Sequence, residues 1–341
     1  MSRHCPSCTE ITDTPILPYI NQEFESSGLF LDLRVVYCGS CGFGYCAPDI
    51  DDELLNHFYS DVYREDGSPY VTNFQTLRKR RTHDLRSLTQ LILAHQFVEF
   101  NDGDVFLDIG PGWGNSFFSA QEVLTTPRMY AIEFKNAAAK AYERLYNVET
   151  FTGINALTDL GIRPKLILAS HSLEHLNLHG LTSLLSELAE LICPNGVLVA
   201  EVPLVDLRVA AESRGNDAPH LLFFTMESMR QLLENAGFEI LFLQSCSRRR
   251  EILHTIDDSV KKTAPVSLHL GIPGYIRSIM RQVLPPSVKR IVYSVLEFNP
   301  SERFSQIDFS DSNFHYGGDR ECLRVVARPL SSATYRIGSG S

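Results

Sequence analysis

From Val105 onward the chain alternates short apolar runs with amphipathic stretches. The runs at 105–109, 129–133, 148–152, 165–170, 196–202 and 238–243 read as buried strands. Between them, 115–123, 136–146, 181–193 and 225–236 carry apolar residues at helical spacing. Regular β/α alternation implies a parallel sheet with helices on both faces, the α/β class. Upstream, a long helical stretch from about Asn73 to Phe100 repeats apolar residues at Leu77, Leu85, Leu88, Leu91, Ile92 and Phe97. A shorter helix, "DELLNHFYS", follows Pro48 and Asp residues able to cap it. The first 50 residues contain one strand-like run, "LFLDLRVVYC", and too few apolar positions for a core of their own.

One strand ends in a motif. In "VFLDIGPGWGNS" the glycines Gly110, Gly112 and Gly114 stand directly behind Asp108, between a strand and a helix. Glycine permits positive φ and close approach of a ligand to the backbone. A strand, a glycine turn and a helix open many nucleotide-binding folds. The dinucleotide pattern would need a third glycine at 115, where the chain has Asn115. Downstream, "RMYAIEF" places Glu133 at the end of the next strand, where a carboxylate can accept both hydroxyls of a ribose.

Cysteine spacing adds a second kind of chemistry. Cys5 and Cys8 form one C-x-x-C pair, Cys38 and Cys41 another. Two such knuckles present four thiolates to one tetrahedral ion, and four thiolates leave no open position for catalysis. The expectation is a structural zinc, with Cys46 a spare thiol and His4 a weaker substitute ligand. Disulfides are the competing reading, disfavoured because nothing in the sequence suggests export; the chain is expected to be cytoplasmic.

Composition narrows the partners. The chain has 341 residues, 44% hydrophobic and 21% charged, with a formal net charge of -10. An acidic total argues against a general nucleic-acid binder. No apolar run approaches the ~20 residues of a membrane span. Basic residues cluster locally, and residues 248–304 carry ten Arg and Lys against five Asp and Glu. The final "GSGS" reads as an appended linker.

The ribbon, "HFYSDVY", "DIGPGWG", "SLEHL" and "HLLFFT" together resemble the class I S-adenosylmethionine-dependent methyltransferases with an N-terminal zinc ribbon. Members commonly modify sugars in polysaccharide or natural-product pathways. The resemblance implies a doubly wound, seven-stranded Rossmann-like sheet whose last strand, in "ECLRVVARP", returns antiparallel. The chain divides into four segments: the ribbon (1–50), a helical linker and cap (51–103), the methyltransferase domain (104–244 with 319–335) and a basic helical insertion (245–318) that departs from the family pattern. The insertion is expected to cover the active site, to pair two subunits, or to touch an anionic membrane surface, in that order. S-adenosylmethionine would meet Asp108, Gly110, Gly112, Gly114, Glu133, Asn155 and His171. His175 and His220 would line the acceptor side, with His220 the proton acceptor; an imidazole titrating near neutrality suits that task. A metal stripe of His171, His175 and His179 is disfavoured, since His171 precedes the helix. The expected acceptor is a hydroxyl or carbon of a sugar or nucleotide sugar. The competing reading is an RNA methyltransferase or a non-catalytic cofactor-binding partner subunit; "SHSLEHL" lacks the Pro-Pro-aromatic loop used on base amines.

Overall fold

The computed structural model describes residues 2–63, 73–80, 85–246 and 322–330. The expected insertion lies outside the described residues except at Ser245 and Cys246. The strands are β1 (Ser2–His4), β2 (Ile11–Asp13), β3 (Ile16–Pro18), β4 (Arg34–Tyr37), β5 (Gly44–Ala47), β6 (Val105–Ile109) and β7 (Arg128–Ile132). They continue with β8 (Glu149–Phe151), β9 (Leu166–Ser170), β10 (Val197–Pro203), β11 (Leu222–Phe223), β12 (Phe238–Cys246) and β13 (Cys322–Pro329). The helices are α1 (Asp52–His57), α2 (Phe74–Arg80), α3 (Leu85–Ala94), α4 (Asn115–Val123), α5 (Asn136–Tyr146), α6 (Asn155–Asp159), α7 (Leu178–Leu191), α8 (Leu207–Ala210) and α9 (Met226–Asn235). Among the described residues, no helix is long and apolar enough to cross a membrane.

Seven strands form one mixed sheet in the order β12-β13-β10-β9-β6-β7-β8. β10, β9, β6, β7 and β8 run parallel, and β13 lies antiparallel between β10 and β12. The alternation of strands and helices alone would have made the whole sheet parallel; the resemblance supplied the reversed strand. β6 pairs with β7 on one side and β9 on the other, so the chain changes direction there. Open α/β sheets bind ligands beyond the carboxyl ends of the strands at such a switch.

Side-chain alternation splits the core between the sheet's two faces. Phe106, Leu168 and Val199 pack with Leu88 and Leu91 of α3, Phe117 of α4 and Tyr142 of α5. Leu107, Ile167, Leu198 and Ala200 face the other way, onto Leu181 and Leu185 of α7 and Leu232 and Leu233 of α9. Cys5, Cys38, Cys41 and Phe43 join that second face, so the ribbon is seated on the sheet domain.

Local chemistry sets several boundaries. Asn177 caps α7 by accepting the Gly180 N–H, starting the helix ahead of the expected 181. Thr225 and Ser228 form a reciprocal capping box on α9. Asn147 closes α5 in the left-handed conformation, with φ 58°. The long helix expected over 73–100 is instead described as α2 and α3, and it ends at Ala94. In the ribbon only Arg34–Tyr37 of "LFLDLRVVYC" is strand; Leu29–Asp32 form a turn.

Candidate functional site

The cofactor side begins at β6. Asp108 is buried, accepts a hydrogen bond from the Ser116 hydroxyl, and is pushed up to about 7, chiefly by burial. Gly110, Gly112 and Gly114 all adopt positive φ, at 69°, 58° and 68°. A Cβ on Gly110 would lie 3.0 Å from the Ser172 Cβ, and one on Gly114 would lie 3.1 Å from the Tyr142 ring. The loop is therefore pressed against the turn after β9 and against α5. Tyr142 ties it down further, donating its hydroxyl to the Gly112 carbonyl at 2.6 Å and to Glu133 Oε2 at 3.3 Å. Glu133 follows β7 and also accepts the Lys135 N–H at 3.2 Å. Asn155 opens α6 and is exposed. Two buried polar atoms beside this loop, Asn115 Oδ1 and Ser172 Oγ, have no hydrogen-bond partner. A left-handed glycine loop, a carboxylate at the next strand end and these two orphaned oxygens fit a polar adenosyl ligand.

Beyond β9 the chain turns sharply. His171 sits at φ 54°, a strained conformation for a residue with a side chain. Its Nδ1 is 3.2 Å from Glu174 Oε1 and its Nε2 is 3.3 Å from Glu201 Oε1. Burial alone would lower its pKa, but the Cys322 thiol and the two carboxylates outweigh burial and hold it at about 11. Glu201 is in turn held by Arg324 at 2.7 Å and Arg86 at 3.5 Å, and it accepts from Gln90 at 3.0 Å. His171 is thus an imidazolium inside a buried network spanning β9, β10, β13 and α3.

The acceptor-side histidines meet at Glu174. A short turn, Leu173–His175, separates β9 from α7, so His175 stands before that helix. Ligand atoms of Glu174, His175 and His220 all lie within 4.8 Å of one another. The two imidazole rings are 5.0 Å apart. His175 is lowered to about 4 by burial, against the opposing charge of Glu174, and so is neutral at physiological pH. Tyr59 and Tyr63 pack on it at 5.6 and 6.3 Å. Glu174 is fully buried; its Oε1 meets His171, while its Oε2 has no hydrogen-bond partner. His179 lies on α7 and is not part of this cluster.

His220 is placed by the ribbon. β11 begins two residues after it and extends the sheet β11-β5-β4-β3, whose other three strands come from the first 50 residues. Cys46 N–H donates to the Leu221 carbonyl at 2.9 Å, and Tyr19 donates its hydroxyl to the His220 carbonyl at 3.0 Å. Cys46 itself is buried, with its thiol 4.0 Å from that same carbonyl.

The four ribbon cysteines converge as their spacing predicts, with all sulfurs within 4.8 Å of one another. Cys5 and Cys41 sulfurs are 3.6 Å apart, Cys8 and Cys38 sulfurs 3.7 Å. An ion about 2.3 Å from four sulfurs sets tetrahedral edges of about 3.8 Å. Ser7 and Cys41 N–H groups point at Cys5 and Cys38 sulfurs, at 3.4 and 3.5 Å. All four are free thiols, and the donor set fits a metal. His4 is exposed and directs Nδ1 at the Thr9 carbonyl instead.

Glu174, Glu201, Arg324, Ser172 and Tyr142 were not anticipated. Glu174 stands inside the "LEH" motif and Glu201 is a lone acid in the apolar run "VLVAEVP", which are signals of buried function. Arg324 carries the same signal, as a lone base in the apolar run "CLRVVA".

Residues 77–243 match a family model described as a methyltransferase domain. No curated protein matches the chain. Among solved structures, coclaurine N-methyltransferase bound to N-methylheliamine and SAH is 16% identical, with a TM-score of 0.41 over 91% of this chain and 83% of that one. The cyclopropane synthase MmaA2 from Mycobacterium tuberculosis is 12% identical, with a TM-score of 0.44 over 81% and 94%. An S-adenosylmethionine-dependent methyltransferase from Clostridium acetobutylicum is 9% identical, with a TM-score of 0.39 over 76% and 96%. The family match spans the glycine loop, Glu133 and the His171–His220 region, so residues 77–243 carry a methyltransferase domain.

Proposed function

We propose that this enzyme methylates a hydroxyl or carbon of a sugar or sugar nucleotide, with His220 taking the acceptor's proton. The observation that supports this reading is the Glu174–His175–His220 cluster at the carboxyl end of the sheet, next to the Ser172 turn that touches the glycine loop. S-adenosylmethionine, when bound, supplies a methyl group on a positively charged sulfur, which keeps the bonding pair as the acceptor atom forms its bond to the methyl carbon. The protein's share is to align the acceptor and to remove its proton. Glu133 and the backbone of Gly110 and Gly112 would hold the adenosyl ligand. His220 would stand over the acceptor, its backbone fixed by the Asp217, Glu174 and Cys46 contacts. Tyr59, Tyr63 and His175 offer flat faces and polar edges of the kind that suit a sugar ring. Zinc in the four-cysteine site would have a structural task, holding the strands that carry Tyr19 and Cys46.

The test is a screen of nucleotide sugars with S-adenosylmethionine, reading release of S-adenosylhomocysteine. Turnover with a nucleotide sugar supports the assignment. Methyl incorporation into a cell extract that vanishes after nuclease treatment would assign RNA instead.

A further inference from the structure

We propose that Glu174 is a positioning residue for methyl transfer: its unpartnered carboxylate oxygen stabilises the imidazolium that His220 becomes when it takes the acceptor's proton. This rests on the reading of His220 as the base. The step is balanced: one proton leaves the acceptor atom for a His220 ring nitrogen, and the carboxylate stays ionised throughout.

Three observations converge on it. Glu174 is 0% exposed, its Oε2 has no hydrogen-bond partner, and one of its carboxylate oxygens lies within 4.8 Å of ring nitrogens of His175 and His220. Leaving a buried carboxylate oxygen unpaired is costly unless a charge arrives to meet it. Second, the arrangement is rigid. The Leu221 N–H donates to the Glu174 carbonyl at 2.8 Å, which pins the backbone beside His220 to the residue carrying the carboxylate. The other oxygen, Oε1, is held 3.2 Å from the His171 imidazolium. Third, the carboxylate is ionised. Burial favours its neutral form, but the histidines around it outweigh burial and keep its pKa below the ordinary value. His175 competes poorly for the incoming proton, since burial keeps it neutral.

The remaining groups around the cluster are accounted for. Tyr59 and Tyr63 face it from the segment after α1, and Tyr19 and Cys46 from the ribbon. Just upstream of His220, Asp217 is paired with Arg214 at 2.9 Å. Glu201 is separated from the cluster by His171 and paired with Arg324. Glu174 is the carboxylate that groups with His175 and His220 among the described residues, and it has an oxygen without a hydrogen-bond partner.

The test compares wild type, Glu174→Gln, Glu174→Asp and His220→Ala. It uses whichever nucleotide sugar supports turnover, together with NMR titration of the His220 ring, which needs no acceptor. In Glu174→Gln the His220 midpoint and the acid limb of kcat should both move down by ~1 pH unit, the scale set by one close opposite charge. kcat should fall roughly tenfold or more, with S-adenosylhomocysteine affinity unchanged. Glu174→Asp keeps the charge and should recover part of kcat; it also serves if the Gln variant does not fold. An unmoved midpoint in a folded Glu174→Gln protein, or parallel loss of cofactor affinity and turnover, would overturn the role. So would a requirement for a divalent ion beyond the cysteine-bound one, which would make the cluster a cation site. Near-normal turnover in His220→Ala overturns the base reading itself, a result distinct from an inert His220→Ala beside an unshifted Glu174→Gln.

Discussion

Asp108 and Glu174 are both carboxyls in a dry interior, yet their surroundings drive them in opposite directions. Burial raises Asp108 to about 7, while Glu174 is surrounded by histidines and stays ionised. An unfolded Asp titrates near 3.9. Between that value and 7 the unfolded chain releases a proton that the folded chain retains, so Asp108 costs stability progressively as pH rises through this window. The cost reaches about 4 kcal/mol at most. Thermal melts of the wild type should therefore show this contribution as a fall in Tm from about pH 4 to about pH 7, and Asp108→Asn should flatten it. A variant whose Tm falls as steeply as the wild type's would mean that Asp108 ionises normally. The single tryptophan, Trp113, sits inside the glycine loop and gives an optical readout of that site. S-adenosylhomocysteine should change its emission, and Gly112→Val should remove the response, since φ 58° there disfavours a β-branched side chain and the loop would leave this conformation. The glycine motif and each C-x-x-C pair were legible because their members are a few residues apart. Glu174 paired with His220, or His171 with Glu201 and Arg324, was not. Those partners sit on separate elements, and only the strand order brings them together.

At the scale of elements, the parallel strands and their helices follow the apolar periodicity closely, and the shifts are of one to three residues at caps. The elements that periodicity missed are the short ones. β11 has two residues, and no two-residue segment has a period to detect. Yet it joins the ribbon to the chemistry. Thr225, two residues after it, donates its hydroxyl to the Cys41 carbonyl at 2.6 Å and caps α9 by accepting the Ser228 N–H at 3.1 Å. Thr225→Ala should cost ~1 kcal/mol for the lost cap and somewhat more for the orphaned knuckle carbonyl, readable in urea unfolding. A loss well under that would show that α9 does not depend on this contact. Cys38→Ser should be harsher. A structural metal contributes folding energy directly, so the variant should lose zinc and become insoluble or protease-sensitive. Metal analysis of wild type purified without chelator should find about one zinc per chain; finding none would remove the zinc from the account.

Across the whole molecule, the sheet divides the work between two origins. The glycine loop, Glu133 and the His171 network belong to the sheet domain, whereas the backbone carrying His220 is held from the ribbon side by Tyr19 and Cys46. Mild chelation should therefore cost turnover before it costs cofactor affinity. Following both against chelator concentration checks the order, and simultaneous loss would mean that the ribbon supports the whole sheet equally. The shared sheet β11-β5-β4-β3 also bears on how such an enzyme can be rebuilt. A chimera that imports another protein's ribbon would graft foreign residues against this chain's His220, so the seam of an exchange cannot lie at residue 50 alone. It must carry residues 217–225 with it as a single heritable unit, and acceptor preference should travel with that unit while the adenosyl site stays behind.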